Sequence, residues 1–168
     1  MNLKPPLLAF LLTVPLVLLA RTDRAEVIAL PVAPTADQTT ATKLVYGLLS
    51  DSRYAYRPRA LDDALSADMY TRYLESLDPG KQFFNAQDIA SFEPLKEQLD
   101  EAIKRGDLAP AYAMFATYRA RVDARVAYAR GLLKQDLFDF TGNDTFLYNR
   151  EDVAWSSDEA VLDKVWKK

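Results

Sequence analysis

The sequence predicts an all-α fold, an irregular bundle of about five to six helices behind an N-terminal signal segment. Three observations carry that reading. Apolar residues recur at steps of three and four in several separate stretches. Cap residues, prolines and glycines punctuate those stretches where helices start and stop, most densely between Leu61 and Phe92. No alternating apolar and polar run of convincing strand length occurs.

Lys4 and the amino terminus give a short positive start, and Leu7 to Ala20 follow as an apolar run broken by Thr13 and Pro15. This is the layout of a secretory signal. The run is shorter than the roughly 20 residues a spanning helix needs. No small-x-small cleavage pair directly follows Ala20, although Val27-Ile28-Ala29 is usable. An uncleaved anchor, or a short buried helix, stays open beside the signal reading. Residues 1–29 are thus a signal peptide or anchor, residues 30–37, with Pro31 and Pro34, a linker, and residues 38–168 the helical domain.

The first helix is expected from about Asp37 to Ser50, capped by Asp37 or Thr39, with Ala41, Leu44, Val45, Leu48 and Leu49 as its core face. Arg53 to Arg59 should be extended or loosely helical. A second helix starts near Asp62 or Asp63, where a carboxylate accepts from free N–H groups and suits the helix dipole. Leu65, Met69, Tyr73 and Leu77 step along its face, widened by Tyr70 and Leu74. Asp78-Pro79-Gly80 stops it, with Gly80 tolerating the reversal. Phe83 and Phe84 anchor the connection in the core.

Asn85 can cap a third helix carrying Ile89 and Phe92. Pro94 opens a fourth, with Leu95, Leu99, Ala102 and Ile103 as its stripe and Gly106 as its stop. Asp107 caps the longest helix, whose apolar face runs through Ala111, Phe115, Tyr118, Val122, Val126, Ala129 and Leu133. Phe138 to Trp155 is aperiodic, pinned by Phe138, Phe140, Phe146, Tyr148 and Trp155. Ser156 or Ser157 caps a last helix, Asp158 to Lys168, carrying Val161, Leu162, Val165 and Trp166. It shows no stop signal, so the domain is expected to be incomplete at its C-terminal end.

Composition narrows the function. Among 168 residues there are no cysteines and no histidines, which removes disulfides, thiolate metal sites and the commonest general base. The net charge is −3. Without residues 1–29, 18 basic and 22 acidic residues remain. That balance argues against nucleic acid and leaves the N-terminal segment as the membrane contact, if it is uncleaved.

Asp62, Asp63, Asp78, Asp88, Asp100, Glu101 and Asp107 invite a carboxylate-pair hypothesis, but most sit at helix starts or turns, where capping explains them. Asp139, Asn143 and Asp144 are oxygen-rich without the spacing of a calcium loop. Asn143-Asp144-Thr145 also matches a glycosylation sequon. Arg119, Arg121, Arg125 and Arg130 give the long helix a basic flank, read as a solvated face with Arg119 and Asp123 paired at i,i+4, or as a site for an anionic partner. The plentiful tyrosines and phenylalanines suit core packing, or an aromatic groove for a peptide. Ser66, Ser91, Ser156 and Ser157 read as caps or solvent residues, and with no histidine only a Ser-Lys route would activate one. The residues alone assign no catalytic, cofactor or metal site.

The block Leu61-Asp62-Asp63, Ser66, Tyr73-Leu74, Leu77-Asp78-Pro79, Phe83-Phe84, Asp88-Ile89 and Phe92 resembles the N-terminal helical domain of the bacterial tail-specific, or carboxyl-terminal processing, proteases. Leu99-Asp100, Lys104-Arg105-Gly106-Asp107-Leu108, Tyr118-Arg119-Ala120-Arg121-Val122, Phe138-Asp139-Phe140, Arg150-Glu151-Asp152, Trp155, Leu162-Asp163 and Trp166-Lys167-Lys168 extend the resemblance. It covers about Thr40 to Lys168. One departure is Arg53, where members often carry a histidine before the residue matching Tyr54.

The resemblance implies an exported periplasmic domain ahead of a PDZ domain and a Ser-Lys serine protease core, whose catalytic residues would lie beyond Lys168. It implies a scaffold or docking role without catalysis in this chain. The implied partners are proteins: an adaptor lipoprotein, the protease body or substrate polypeptides. A stand-alone exported adaptor and a non-functional remnant remain alternatives. A trimmed domain should expose apolar surface around Val161, Val165 and Trp166.

Overall fold

The computed structural model describes residues 33–135, 138 and 141–168. The signal or anchor segment, the first three linker residues (30–32), and the expectations placed on Asp139 and Phe140 lie outside the described residues, while the last two linker residues already belong to the first helix. Within them the chain forms six α-helices and no strand. They are α1 (Ala36–Ser50), α2 (Asp63–Leu77), α3 (Ala86–Phe92), α4 (Leu99–Arg105), α5 (Ala109–Leu133) and α6 (Glu159–Lys167), with one 3-10 turn at Glu93–Leu95. No described helix is long and apolar enough to cross a membrane.

Local chemistry explains the helix starts. Thr35, rather than Asp37 or Thr39, caps α1. Its hydroxyl accepts from Gln38 N while Gln38 Oε1 accepts from Thr35 N at 2.9 Å, a reciprocal capping box. Asp62 caps α2, accepting from Leu65 N at 2.9 Å. Asn85 and Asp88 form a second capping box at α3. Asp158, not Ser156 or Ser157, caps α6 through Val161 N.

The turn after α2 is held by a carboxylate more than by a glycine. Asp78 is 1% exposed, and its oxygens accept from Gln82 N, Phe83 N and Phe84 N at 2.8–2.9 Å. The left-handed residue is Lys81, at φ 48°, and not Gly80. Gly106, at φ 72°, ends α4, and a Cβ there would also meet the Lys43 side chain of α1 at 2.6 Å.

The core is a cluster of Tyr70, Leu74, Phe84, Phe92, Leu99 and Met114, contributed by α2, the turn, α3, α4 and α5. Phe84 sits edge-on to Phe92 and Trp155, with centroids 5.6 and 6.1 Å apart. The deepest α2 residues are Ser66, Tyr70 and Leu74, one position around from the expected stripe. Ser66 is the reason. Its hydroxyl donates to Lys96 O at 2.7 Å and accepts from Leu99 N at 2.9 Å. It thereby splits the expected fourth helix into the 3-10 turn and α4.

Helix α5 differs most from its expected pattern. Its buried residues are Met114 and Arg125, while Val126 is exposed and Leu133 more so. The second half of the helix packs on α6 through the Arg125 guanidinium, which bonds Glu159 and Asp163, one turn apart on α6. Arg121 likewise leaves the expected solvated flank and pairs with Asp88 through two bonds of 2.8 and 2.9 Å. In the 138–155 segment Trp155 is packed against the core, whereas Phe146 and Tyr148 are exposed.

Candidate docking surface and the polar clusters

Helix α1 buries none of its residues. The face expected to enter the core is in solvent, with Leu44 63% and Leu48 55% exposed, and Val45 and Leu49 beside them. The helix is nevertheless attached: it packs on α4, Tyr112 Oη donates to Gln38 Oε1 at 2.8 Å, and Arg59 N donates to Leu49 O at 3.2 Å. Apolar side chains on an attached but uncovered helix are the usual mark of a docking surface.

That face continues into a groove of about 530 Å³ between α1, the 57–61 segment, α2 and α4. Val45, Leu49, Leu61, Leu65, Met69 and Ile103 line it, together with Arg57, Arg59 and Arg72. Arg72 is tied to Asp68 at 3.0 Å. Among the described residues no carboxylate pairs with Arg57 or Arg59. The groove therefore combines apolar walls with two guanidinium charges available to an anion, a chemistry suited to an amphipathic segment carrying carboxylates.

The surface expected around α6 is smaller. Leu162 is buried, Val165 and Trp166 are half-buried, and Trp166 Nε1 donates to Gln82 O at 2.8 Å. The Trp166 ring stands edge-on to Phe83 at 5.5 Å.

The acidic candidates separate by role. Asp62 caps α2, whereas Asp107 does not cap α5: the N-cap there is Leu108, without a side-chain cap bond, and Asp107 only accepts from Ala109 N at 2.9 Å in the turn before it. Asp78 staples the turn, and Asp88 joins a capping box to Arg121. Asn143 and Asp144 lie in an exposed loop. Asp63, Asp100 and Glu101 converge, each with a carboxylate oxygen within 4.8 Å of the others. Burial opposes the charge on Asp100. Hydrogen bonds at Lys104 and Glu101 outweigh it and hold the carboxyl below the ordinary carboxylate range.

The serine candidates meet backbone or carboxylate. Ser66 links α2 to α4, Ser91 donates to Asp88 O at 2.6 Å, and Ser157 donates to Asp158 at 2.9 Å. Ser156 is buried, and its carbonyl accepts from Ala86 N at 2.8 Å. Sequence reasoning found the apolar residues of α1 but assigned them to the core. It missed Arg57 and Arg59, whose only signal was their place in a Tyr- and Arg-rich stretch.

Comparison with known proteins bears on most of the helical region. The family described as the tail specific protease N-terminal domain has a model that matches residues 48–168, leaving most of α1 before the match. A curated relative, the tail-specific protease of Haemophilus influenzae (strain ATCC 51907 / DSM 11121 / KW20 / Rd), is 31% identical over 135 residues. The aligned part is 80% of this chain and 19% of that protein, so the chain spans about a fifth of the length of the relative it matches.

Proposed function

Since this chain belongs to the tail-specific protease N-terminal domain family, we propose that it is the docking domain of a periplasmic serine protease that processes protein C-termini, itself without catalysis. The observation that carries the docking role is the uncovered apolar face of α1, continuous with the arginine-bearing groove. The occupant we assign is a partner protein of the adaptor-lipoprotein kind. It would offer an amphipathic segment whose apolar side chains meet Leu44, Leu48 and Leu49 and whose carboxylates meet Arg57 and Arg59.

The test is a titration of the purified chain with that adaptor from the same cell, read by anisotropy. Leu48→Gln and Arg57→Ala should each weaken binding by tenfold or more, as removal of an anchor does, about 1.4 kcal/mol or above. Binding untouched by both substitutions refutes the surface. Cleavage of a C-terminal peptide by the rigorously purified chain refutes the non-catalytic role. Export is checked by fractionation, where a cytoplasmic pool alone contradicts the periplasmic assignment.

A further inference from the structure

We propose that the docking groove has a second compartment, the apolar pocket between α2, α4 and the start of α5. It takes one bulky apolar side chain, aromatic or branched, from the same partner segment. This inference rests on the docking role assigned to the α1 face. It adds where the segment runs once it leaves α1, and the order of chemistry along it.

The pocket holds about 400 Å³. Its floor is Met114, which is fully buried. Its room comes from small residues, since α4 presents Ala102 and α5 presents Ala111 to a space that Met69 and Tyr73 of α2 also line. Loose packing is the ordinary account of an apolar recess, but cores keep few voids larger than a water molecule. A space of this size belongs instead at the small end of ligand pockets, which run from about 300 to about 1,000 Å³.

Continuity and charge choose the occupant. Met69, Arg72 and Ile103 border both this pocket and the groove beside α1, so a segment lying in the groove reaches the pocket by crossing one shared wall. Inside, the hydroxyl of Tyr73 is already committed, donating to Ala111 O at 3.1 Å. A polar side chain buried there would go unpaired, so the pocket selects an apolar one. The flexible Met69 and Met114 let the walls fit its shape. The charges at the two ends differ in sign. Arg57 and Arg59 stand in the α1 groove. At the far rim Asp107 is exposed, and among the described residues no lysine or arginine pairs with it. The partner segment is therefore acidic beside α1, bulky and apolar at the pocket, and basic beyond it.

The experiment labels the methionine methyls of the full chain with ¹³C and titrates N-acetyl-tryptophanamide, with N-acetyl-glutaminamide as the polar control. Met69 and Met114 are two of the three methionines, so their signals report on the pocket directly. The tryptophan probe should shift both saturably, and the control should not. Ala111→Leu fills the space from within, so it should remove the shifts, keep or raise Tm, and weaken adaptor binding tenfold or more by anisotropy. Asp107→Asn keeps an oxygen for Ala109 N and removes the charge, so it should weaken adaptor binding several-fold at low salt and less at high salt. Methionine signals that ignore the tryptophan probe overturn the pocket, as does a lower Tm in Ala111→Leu, which would mean there is no space to fill. Full adaptor affinity in Ala111→Leu alongside lost affinity in Leu48→Gln overturns the second compartment and leaves the α1 docking surface standing. Full affinity in both variants rejects the docking role, and this inference with it.

Discussion

Helices α1 and α2 are each 15 residues long, and each starts at a side-chain cap. One buries nothing and the other buries Ser66, Tyr70 and Leu74. Both carry apolar residues at helical spacing, so the period alone does not separate them. The difference is what stands opposite. Helix α2 faces Phe84, Phe92, Leu99 and Met114, which close around it. Helix α1 packs chiefly on α4, along an edge marked by Gly106 and Lys43, and its leucines stay largely in solvent. Capping and periodicity make a helix; the partners supplied by the rest of the chain decide whether its stripe becomes core or surface.

The largest effect expected from this contrast is at the centre of the α2 cluster. Phe84 is fully buried and contacts Phe92, Tyr118 and Trp155. Phe84→Ala should cost about 3–5 kcal/mol, most of the stability of a small domain. Urea denaturation followed by circular dichroism measures it. A loss below about 1 kcal/mol would mean that the cluster is not the core.

A smaller loss is expected where charge replaces apolar packing. Arg125 is 4% exposed, but its partners Glu159 and Asp163 are 57% and 35% exposed, so they can rehydrate when it is removed. Arg125→Met should cost about 2 kcal/mol, below the figure for a fully buried pair. A double-mutant cycle with Asp163→Asn should show coupling of about 1 kcal/mol. Zero coupling would return Arg125 to the solvated flank that its spacing in the sequence suggested.

How much of this was legible in sequence depends on the range of the interaction. The α2 and α3 starts, the Asp78 turn and the Gly106 stop were readable because a cap or turn is a bond between residues three to six apart. Ser66 was not, because its partners lie 30 and 33 residues away and a serine in a helix has no such signal. Arg125 was hidden in the same way, since a basic residue on a helix normally reads as surface until two carboxylates arrive from α6. The docking surface was half legible: its leucines were named, and only the tertiary structure moves them from core to solvent. Asp63, Asp100 and Glu101 were each visible as acidic residues, yet their convergence depends on α2–α4 packing.

Burial of tyrosine sharpens the contrast by pH. Tyr70, Tyr73 and Tyr118 all belong to the packed region, and burial, with nearby negative groups second, raises each phenol above its ordinary value. A raised folded value favours the neutral phenol. The stability it contributes is therefore complete below the unfolded value of about 10 and is lost as pH rises through the folded value. The urea midpoint should fall above about pH 10, and Tyr118→Phe should make that fall shallower. An unchanged slope in Tyr118→Phe would show that its phenol is hydrated rather than packed.

The smallest effect on stability belongs to α1, and its smallness is the informative part. Leu48 is 55% exposed, so Leu48→Gln removes little buried surface and should change the unfolding free energy by less than about 0.5 kcal/mol. The same change replaces an apolar anchor on the face assigned to a partner, where one residue commonly contributes more than about 1 kcal/mol of binding. The two readouts should diverge, with the denaturation midpoint fixed and partner affinity reduced. A loss of stability comparable to that of Arg125→Met would put Leu48 in a core contact and dissolve the contrast between α1 and α2. Unchanged stability with unchanged affinity would leave the contrast standing and move the docking surface off α1.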